Sequence, residues 1–171
     1  MSSKDQSIVS SSHLAQGVGG VLSEVEYGII IASNAMQNWI VRCMVAAGGP
    51  EKVTYTDSLV LHNVYHRNRA KRLADICFTL NIEDSHTVAY ALRKLHKLAL
   101  IEVEKRGKES FYQVSKQGRK ICERYAEIRQ QCLVEALGDL CNDNQDLHEV
   151  ARLLRTLSGL YDQAGRAATS L

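Results

Sequence analysis

The sequence predicts a mainly α-helical fold, formally α+β, with one small β-hairpin. Three observations predict it: apolar residues recur at three-and-four spacing through most of the 171 residues, the period drops towards two only near residues 101–114, and positive charge concentrates in the middle third. A chain of this length makes one compact protomer with a genuine core. Its 45% hydrophobic and 23% charged content is ordinary for a globular protein.

Residues 1–20, rich in Ser, Gly and Gln, read as a flexible N-terminal arm. Ser23-Glu24-Val25-Glu26 has the S-x-x-E form of a capping box and is expected to open the first helix. Val25, Ile29, Ala32, Met36, Ile40, Cys43 and Ala47 form one face of that helix, and Gly48-Gly49-Pro50 ends it. A second helix is expected from about Asp57 to Tyr65, with Leu61, Val64 and Tyr65 as core candidates. In the third, Leu73, Ile76, Cys77 and Leu80 fall at offsets 0, 3, 4 and 7.

After the short connection Asn81-Ile82-Glu83, Asp84 or Ser85 is placed to cap a fourth helix with Val88, Leu92, Leu95 and Leu98 inside. Ile101, Val103 and Lys105 then alternate with Glu102 and Glu104, Arg106-Gly107-Lys108-Glu109 makes a turn, and Phe111-Tyr112-Gln113-Val114 returns as a strand. Ser115 caps a fifth helix carrying Ile121, Tyr125, Ile128, Cys132 and Ala136. A sixth follows from about Asn144 with Leu147, Val150, Leu154, Leu157 and Tyr161.

Helix, helix, short turn, helix and hairpin over residues 57–114 make the order of a winged helix-turn-helix module. Residues 22–48 and 115–165 are then long flanking dimerisation helices of the same compact protomer. The charge distribution agrees with such a module. Residues 67–124 carry fourteen Lys and Arg against seven Asp and Glu, a net +7, between flanks of −2 and −3, so the overall +2 conceals a basic block. Clustered cations fit a polyanionic partner because each neutralised phosphate releases condensed counterions. The competing account is a solvated charged surface, and the accompanying helix order favours DNA.

With its leucines inward, the fourth helix turns Ser85, His86, Tyr90, Arg93, Lys94 and Lys97 outward. Ser85, His86 and Tyr90 offer donors and acceptors suited to base edges, whereas Arg93, Lys94 and Lys97 offer cations suited to phosphates. Arg69, Lys71 and Arg72 are placed to grip phosphate at the start of the third helix, and Arg106 and Lys108 at the wing tip to reach the minor groove or backbone.

Here the chain resembles the MarR family of bacterial transcription regulators. The resemblance is carried by Arg72-Leu73-Ala74-Asp75-Ile76 through Leu80-Asn81-Ile82, and by Asp84-Ser85-His86-Thr87-Val88 through Leu92-Arg93-Lys94-Leu95. Leu100-Ile101 leads into the wing, and Val114-Ser115-Lys116-Gln117-Gly118-Arg119 is similar to the family's L-T-x-x-G-R. The wing lacks the family's D-x-R, and Ala99 stands where a glycine commonly precedes the Leu-Ile pair. The resemblance implies a homodimer that presents two recognition helices to an inverted-repeat operator in double-stranded DNA. It also implies a small-molecule effector or other signal that alters their separation.

Other chemistry is less well supported. No cofactor, metal or catalytic residue is expected, and the function is not expected to be enzymatic. His62 and His66, at i and i+4, suggest a metal-dependent enzyme only if a third ligand exists, and the pair lacks the Glu of H-E-x-x-H. A winged-helix protein-interaction module is the other alternative, disfavoured by the cations on the recognition face. Tyr27, Trp39 and Tyr65 either line an effector pocket or pack helix against helix.

The five cysteines (Cys43, Cys77, Cys122, Cys132, Cys141) contain no C-x-x-C pair and read as buried reduced thiols. A redox switch at Cys43, Cys122 or Cys132 would need an exposed, electropositive setting, and all three fall on apolar stripes. No apolar run approaches the roughly 18 residues of a membrane span, and the polar start has no signal-peptide core, so the expected compartment is the cytoplasm.

Overall fold

The computed structural model describes residues 18–138 and 144–171. The expected arm lies outside the described residues up to position 17, and Cys141 lies outside them as well. The described residues form two compact units that divide between Ala126 and Glu127.

The first unit begins with α1 (Val18–Ala46), α2 (Tyr55–Tyr65), a 3-10 turn (His66–Asn68), α3 (Leu73–Leu80) and α4 (Ser85–Lys97). An antiparallel hairpin follows, β1 (Ile101–Arg106) with β2 (Glu109–Val114), and then α5 (Lys116–Arg129). The helix-turn-helix and wing order read from the sequence is therefore the observed order.

Two expectations about α1 are corrected. The helix starts at Val18, so Ser23 lies inside it, and its hydroxyl donates to the Gly19 carbonyl at 2.9 Å instead of capping a terminus. Of the predicted face only Cys43 and Ala47, at its C-terminal end, are buried, with Met44 beside them. Met36 is exposed, as are Val21, Leu22, Ile30 and Ile31.

α2 has a capping box that the sequence reading overlooked. The Asp57 amide donates to Thr54 Oγ1 (3.2 Å) and the Thr54 amide donates to Asp57 Oδ2 (2.8 Å), satisfying two orphan donors.

The core of this unit forms where Val60, Leu61 and Val64 of α2 meet Ile76 of α3 and Val88, Ala91, Leu92 and Leu95 of α4. Leu100 and Ile101 close it beneath the hairpin. Every one of these side chains is almost fully buried, and each large one contributes about 1.5–3 kcal/mol of hydrophobic stabilisation. This packing fixes the rotation of α4, and with it the side chains that face outward.

Two contacts aim the wing. Lys71 and Tyr112 exchange backbone hydrogen bonds of 3.0 and 2.8 Å, which makes the chain before α3 a third, one-residue strand against β2. Ser115 caps α5 by accepting the Gly118 amide at 3.0 Å, while its own hydroxyl donates to the Ala99 carbonyl at 2.7 Å. A Cβ on Gly118 would stand 2.1 Å from the Leu100 carbonyl oxygen, so only glycine admits this approach. The S-x-x-G run thus clamps the end of α4, the start of the wing and the start of α5 together.

α5 passes into a π turn (Gln130–Val134) and the short α6 (Glu135–Gly138). The extra residue per turn ends the regular spacing on which Cys132 and Ala136 were expected to be buried, and both are exposed. In the second unit, α7 (Asn144–Ala168) carries Leu147, Val150, Leu153, Leu154, Leu160 and Tyr161 exposed along its length.

Candidate nucleic-acid interface

α4 is about 20 Å long at 1.5 Å per residue. Asp84 rather than Ser85 caps it: its carboxylate accepts the His86 amide at 2.9 Å and the Thr87 hydroxyl at 2.9 Å. The Thr87 hydrogen bond, followed by that amide, holds the Asp84 carboxyl below its ordinary value. The one acidic side chain capping this helix start is therefore already engaged, and Ser85 and His86 remain exposed beside it.

Tyr90 is 64% exposed one turn further on, and Arg93 and Lys97 follow on the open surface. α4 itself contains no Asp or Glu. Arg93, Lys97, Arg69 and Lys108 are exposed and hold no ion pair among the described residues.

Two of the lysines expected to hold phosphate have partners inside the protomer. Lys71 is buried at 6% exposure, and its ammonium donates to the Asn63 carbonyl near the end of α2. Burial, with the nearby Arg69 and Arg67 charges, pushes its pKa down. Lys94 points back into the protomer and donates to Asp57 Oδ2 at 2.5 Å and to the Lys52 carbonyl at 2.6 Å. Buried carboxylates and carbonyls at helix ends need a cation more than the surface does, and neither requirement is visible from helical periodicity.

The structure places Arg72 and Arg106 on the surface with acidic partners. Arg72 spans Asp75 (3.1 Å) and Glu109 (3.3 Å), and the Asp75 hydrogen bond leads the upward shift of its pKa. Arg106 pairs with Glu104 at 2.7 Å and lies over the Phe111 ring. The turn between the strands is Gly107-Lys108, with Gly107 at φ 63°, the first position of a tight hairpin turn that glycine suits.

His62 and His66 differ in their surroundings. His62 packs edge-on against Tyr125, ring centroids 4.4 Å apart, and burial lowers its pKa from 6.5. His66 is the exposed C-cap of α2. Among the described residues, no group of three or more His, Cys, Asp or Glu could hold a metal ion.

Both histidines, with Tyr65, Arg67 and Arg119, line an open cleft of about 440 Å3 at the end of α2. Of the three aromatic residues considered for an effector pocket, only Tyr65 reaches this cleft, with the Arg119 guanidinium 5.5 Å from its ring centre. Arg67 adopts a left-handed φ of 61° at its edge. The cysteines divide: Cys43 and Cys122 are buried, Cys77 is half-buried, and Cys132 is exposed, contrary to its expected burial. Burial pushes the Cys122 thiol up to about 12.

Among the described residues, no helix is long and apolar enough to cross a membrane. The winged helix DNA-binding domain family matches residues 53–118. No curated protein matches the chain in sequence.

Solved structures do match. The Staphylococcus aureus MepR–DNA complex aligns with a TM-score of 0.63 at 20% identity, covering 78% of this chain and 96% of that one. Reduced AbfR bound to DNA, a protein of Staphylococcus epidermidis, aligns with a TM-score of 0.69 at 17% identity, covering 85% and 98%. MarR itself aligns with a TM-score of 0.59 at 15% identity, covering 81% and 98%. The resemblance to MarR-type regulators read from the sequence thus holds in the fold.

Proposed function

From a winged helix DNA-binding domain set in the fold of the MarR-type regulators, we propose that the chain is a sequence-specific, double-stranded DNA-binding transcription regulator that acts as a homodimer in the cytoplasm and has no enzymatic activity. One observation carries this reading. The outward face of α4 is open, cationic and free of carboxylates, while the leucines beneath it lock its orientation.

In this reading α4 enters the major groove. Ser85, His86 and Tyr90 read base edges, and Arg93 and Lys97 hold phosphates. Arg69 and Arg72 meet the backbone at the start of α3, and Arg106 and Lys108 follow at the wing. Lys71 and Lys94 leave the phosphate set because their charges are committed inside the protomer.

The homodimer is supported by the exposed apolar residues of α1 and of α7, each a surface that water disfavours. Two such modules about 34 Å apart would address an inverted repeat on one DNA face. A small-molecule effector is supported by the cleft beside Tyr65: two imidazoles and two guanidiniums suit an anionic ligand.

The test is duplex selection from a random pool, followed by titration of the recovered duplex at several salt concentrations. Recovery of an inverted repeat bound with a steep salt slope is the expected result. Binding without that slope, or no enrichment, defeats the reading.

A further inference from the structure

A groove of about 440 Å3 runs between α4 and the wing, lined by Leu92, Arg93, His96, Val103, Lys105 and Tyr112. The hairpin register explains its charge. Val103 pairs with Tyr112 and Lys105 with Ser110, so these side chains share the wing face turned to α4, whereas Glu102 and Glu104 alternate to the other face. The lining therefore holds Arg93 and Lys105 and no carboxylate.

Both cations are exposed, and neither holds an ion pair among the described residues, unlike Arg72, Lys94 and Arg106. Both walls are fixed. His96 Nδ1 lies 3.2 Å from the Ile101 carbonyl oxygen and ties the last turn of α4 to the first residue of β1. Tyr112 is held by its paired backbone bonds to Lys71. Leu92 and Val103 give the groove an apolar floor. Opposed, unneutralised cations above an apolar floor match the amphipathic chemistry of a sugar-phosphate chain, and a neutral metabolite would leave both charges unanswered.

We propose that this groove seats the DNA backbone where it crosses from recognition helix to wing. Arg93 and Lys105 grip one phosphate between them, the Tyr112 hydroxyl donates to the same phosphate, and the adjoining sugar lies on Leu92 and Val103. The inference rests on the DNA-binding reading and adds Lys105 and Tyr112, which the sequence reading passed over.

The test uses the full chain and the duplex recovered by selection, with single neutral methylphosphonate linkages scanned along each strand. One linkage per half-site is expected to weaken wild-type binding about tenfold, and Arg93→Gln/Lys105→Gln is expected to be indifferent to that linkage while sensitive elsewhere. In the double variant the salt slope should fall by about 0.9 per half-site, not twice that, because one phosphate is shared. Lys105→Arg should keep the wild-type slope, and Tyr112→Phe should lose about threefold in affinity with the slope intact, since a neutral donor displaces no counterion. A folded double variant that keeps the full slope and the wild-type phosphate pattern overturns the groove and leaves the DNA reading standing. A wild-type protein with no steep salt slope overturns both.

Discussion

Lys94 Nζ lies 2.5 Å from Oδ2 of Asp57, a carboxylate that is 2% exposed, and the pair joins α4 to the N-terminus of α2. The same Oδ2 accepts the Thr54 amide, so one oxygen serves a helix cap and an ion pair at once. Removing the lysine leaves a buried carboxylate short of a partner, which in fully buried pairs costs about 3–5 kcal/mol. Because Lys94 retains 23% exposure, Lys94→Ala is expected to cost less, about 2–3 kcal/mol in urea unfolding. A variant that unfolds like wild type but binds DNA poorly would return Lys94 to the phosphate-binding set.

Ala99 sits at φ 56°, in the left-handed region, at the end of α4. Its amide donates to the His96 carbonyl at 2.9 Å and the Leu100 amide to the Leu95 carbonyl at 3.0 Å, so the turn is held although alanine is a poor occupant. A left-handed L-residue costs about 1–2 kcal/mol, against about 0.5–1 kcal/mol of extra chain entropy that glycine loses on folding. Ala99→Gly is therefore expected to raise unfolding stability by about 0.5–1 kcal/mol, read from the urea midpoint at unchanged slope. A lower midpoint would show that the Ser115 bond to this carbonyl already relieves the strain.

The order of elements over residues 55–114 was legible because hydrophobic period and turn residues record local geometry directly: Val88, Leu92 and Leu95 lie inside as their spacing requires. Which cations stand on the open surface was only partly legible. Arg93 and Lys97 follow from helical phase, but Lys94 and Lys71 are claimed by Asp57 and the Asn63 carbonyl, 37 and 8 residues away in sequence. No local pattern encodes those partners. The Thr54–Asp57 cap was written in the sequence as T-x-x-D and was overlooked, whereas the π turn at Gln130–Val134 leaves no compositional trace.

His62 gives the fold an acid limit. Burial lowers its pKa from 6.5, so the unfolded chain takes up a proton as pH falls through 6.5 while the folded chain resists until lower pH. In that window the unfolded state binds more protons, and stability must fall as pH falls. The drop in urea midpoint between pH 7.5 and 5.5 should be larger in wild type than in His62→Gln, the difference isolating this residue from the other histidines. Equal drops would mean that the folded protein accommodates the imidazolium beside Tyr125.

α7 makes the homodimer testable at a single residue. Leu147, Leu154 and Tyr161 are seven residues apart, Val150 and Leu157 interleave with them, and four of the five are exposed in the isolated protomer. Such a heptad seam is stabilising only when a partner helix covers it. Light scattering should give a mass about twice the 19.1 kDa of one chain. Leu154→Glu puts an unpaired charge in the seam of both copies, and we expect its dimer dissociation constant to rise by about 100-fold or more, since a buried charge without a partner costs several kcal/mol. Helix content should persist because glutamate is a good helix former. Operator affinity should fall with dimerisation, as a lone module keeps only half of the contacts. A wild-type protein that stays monomeric at tens of micromolar, or a Leu154→Glu variant that remains dimeric, would rule out α7 as the seam.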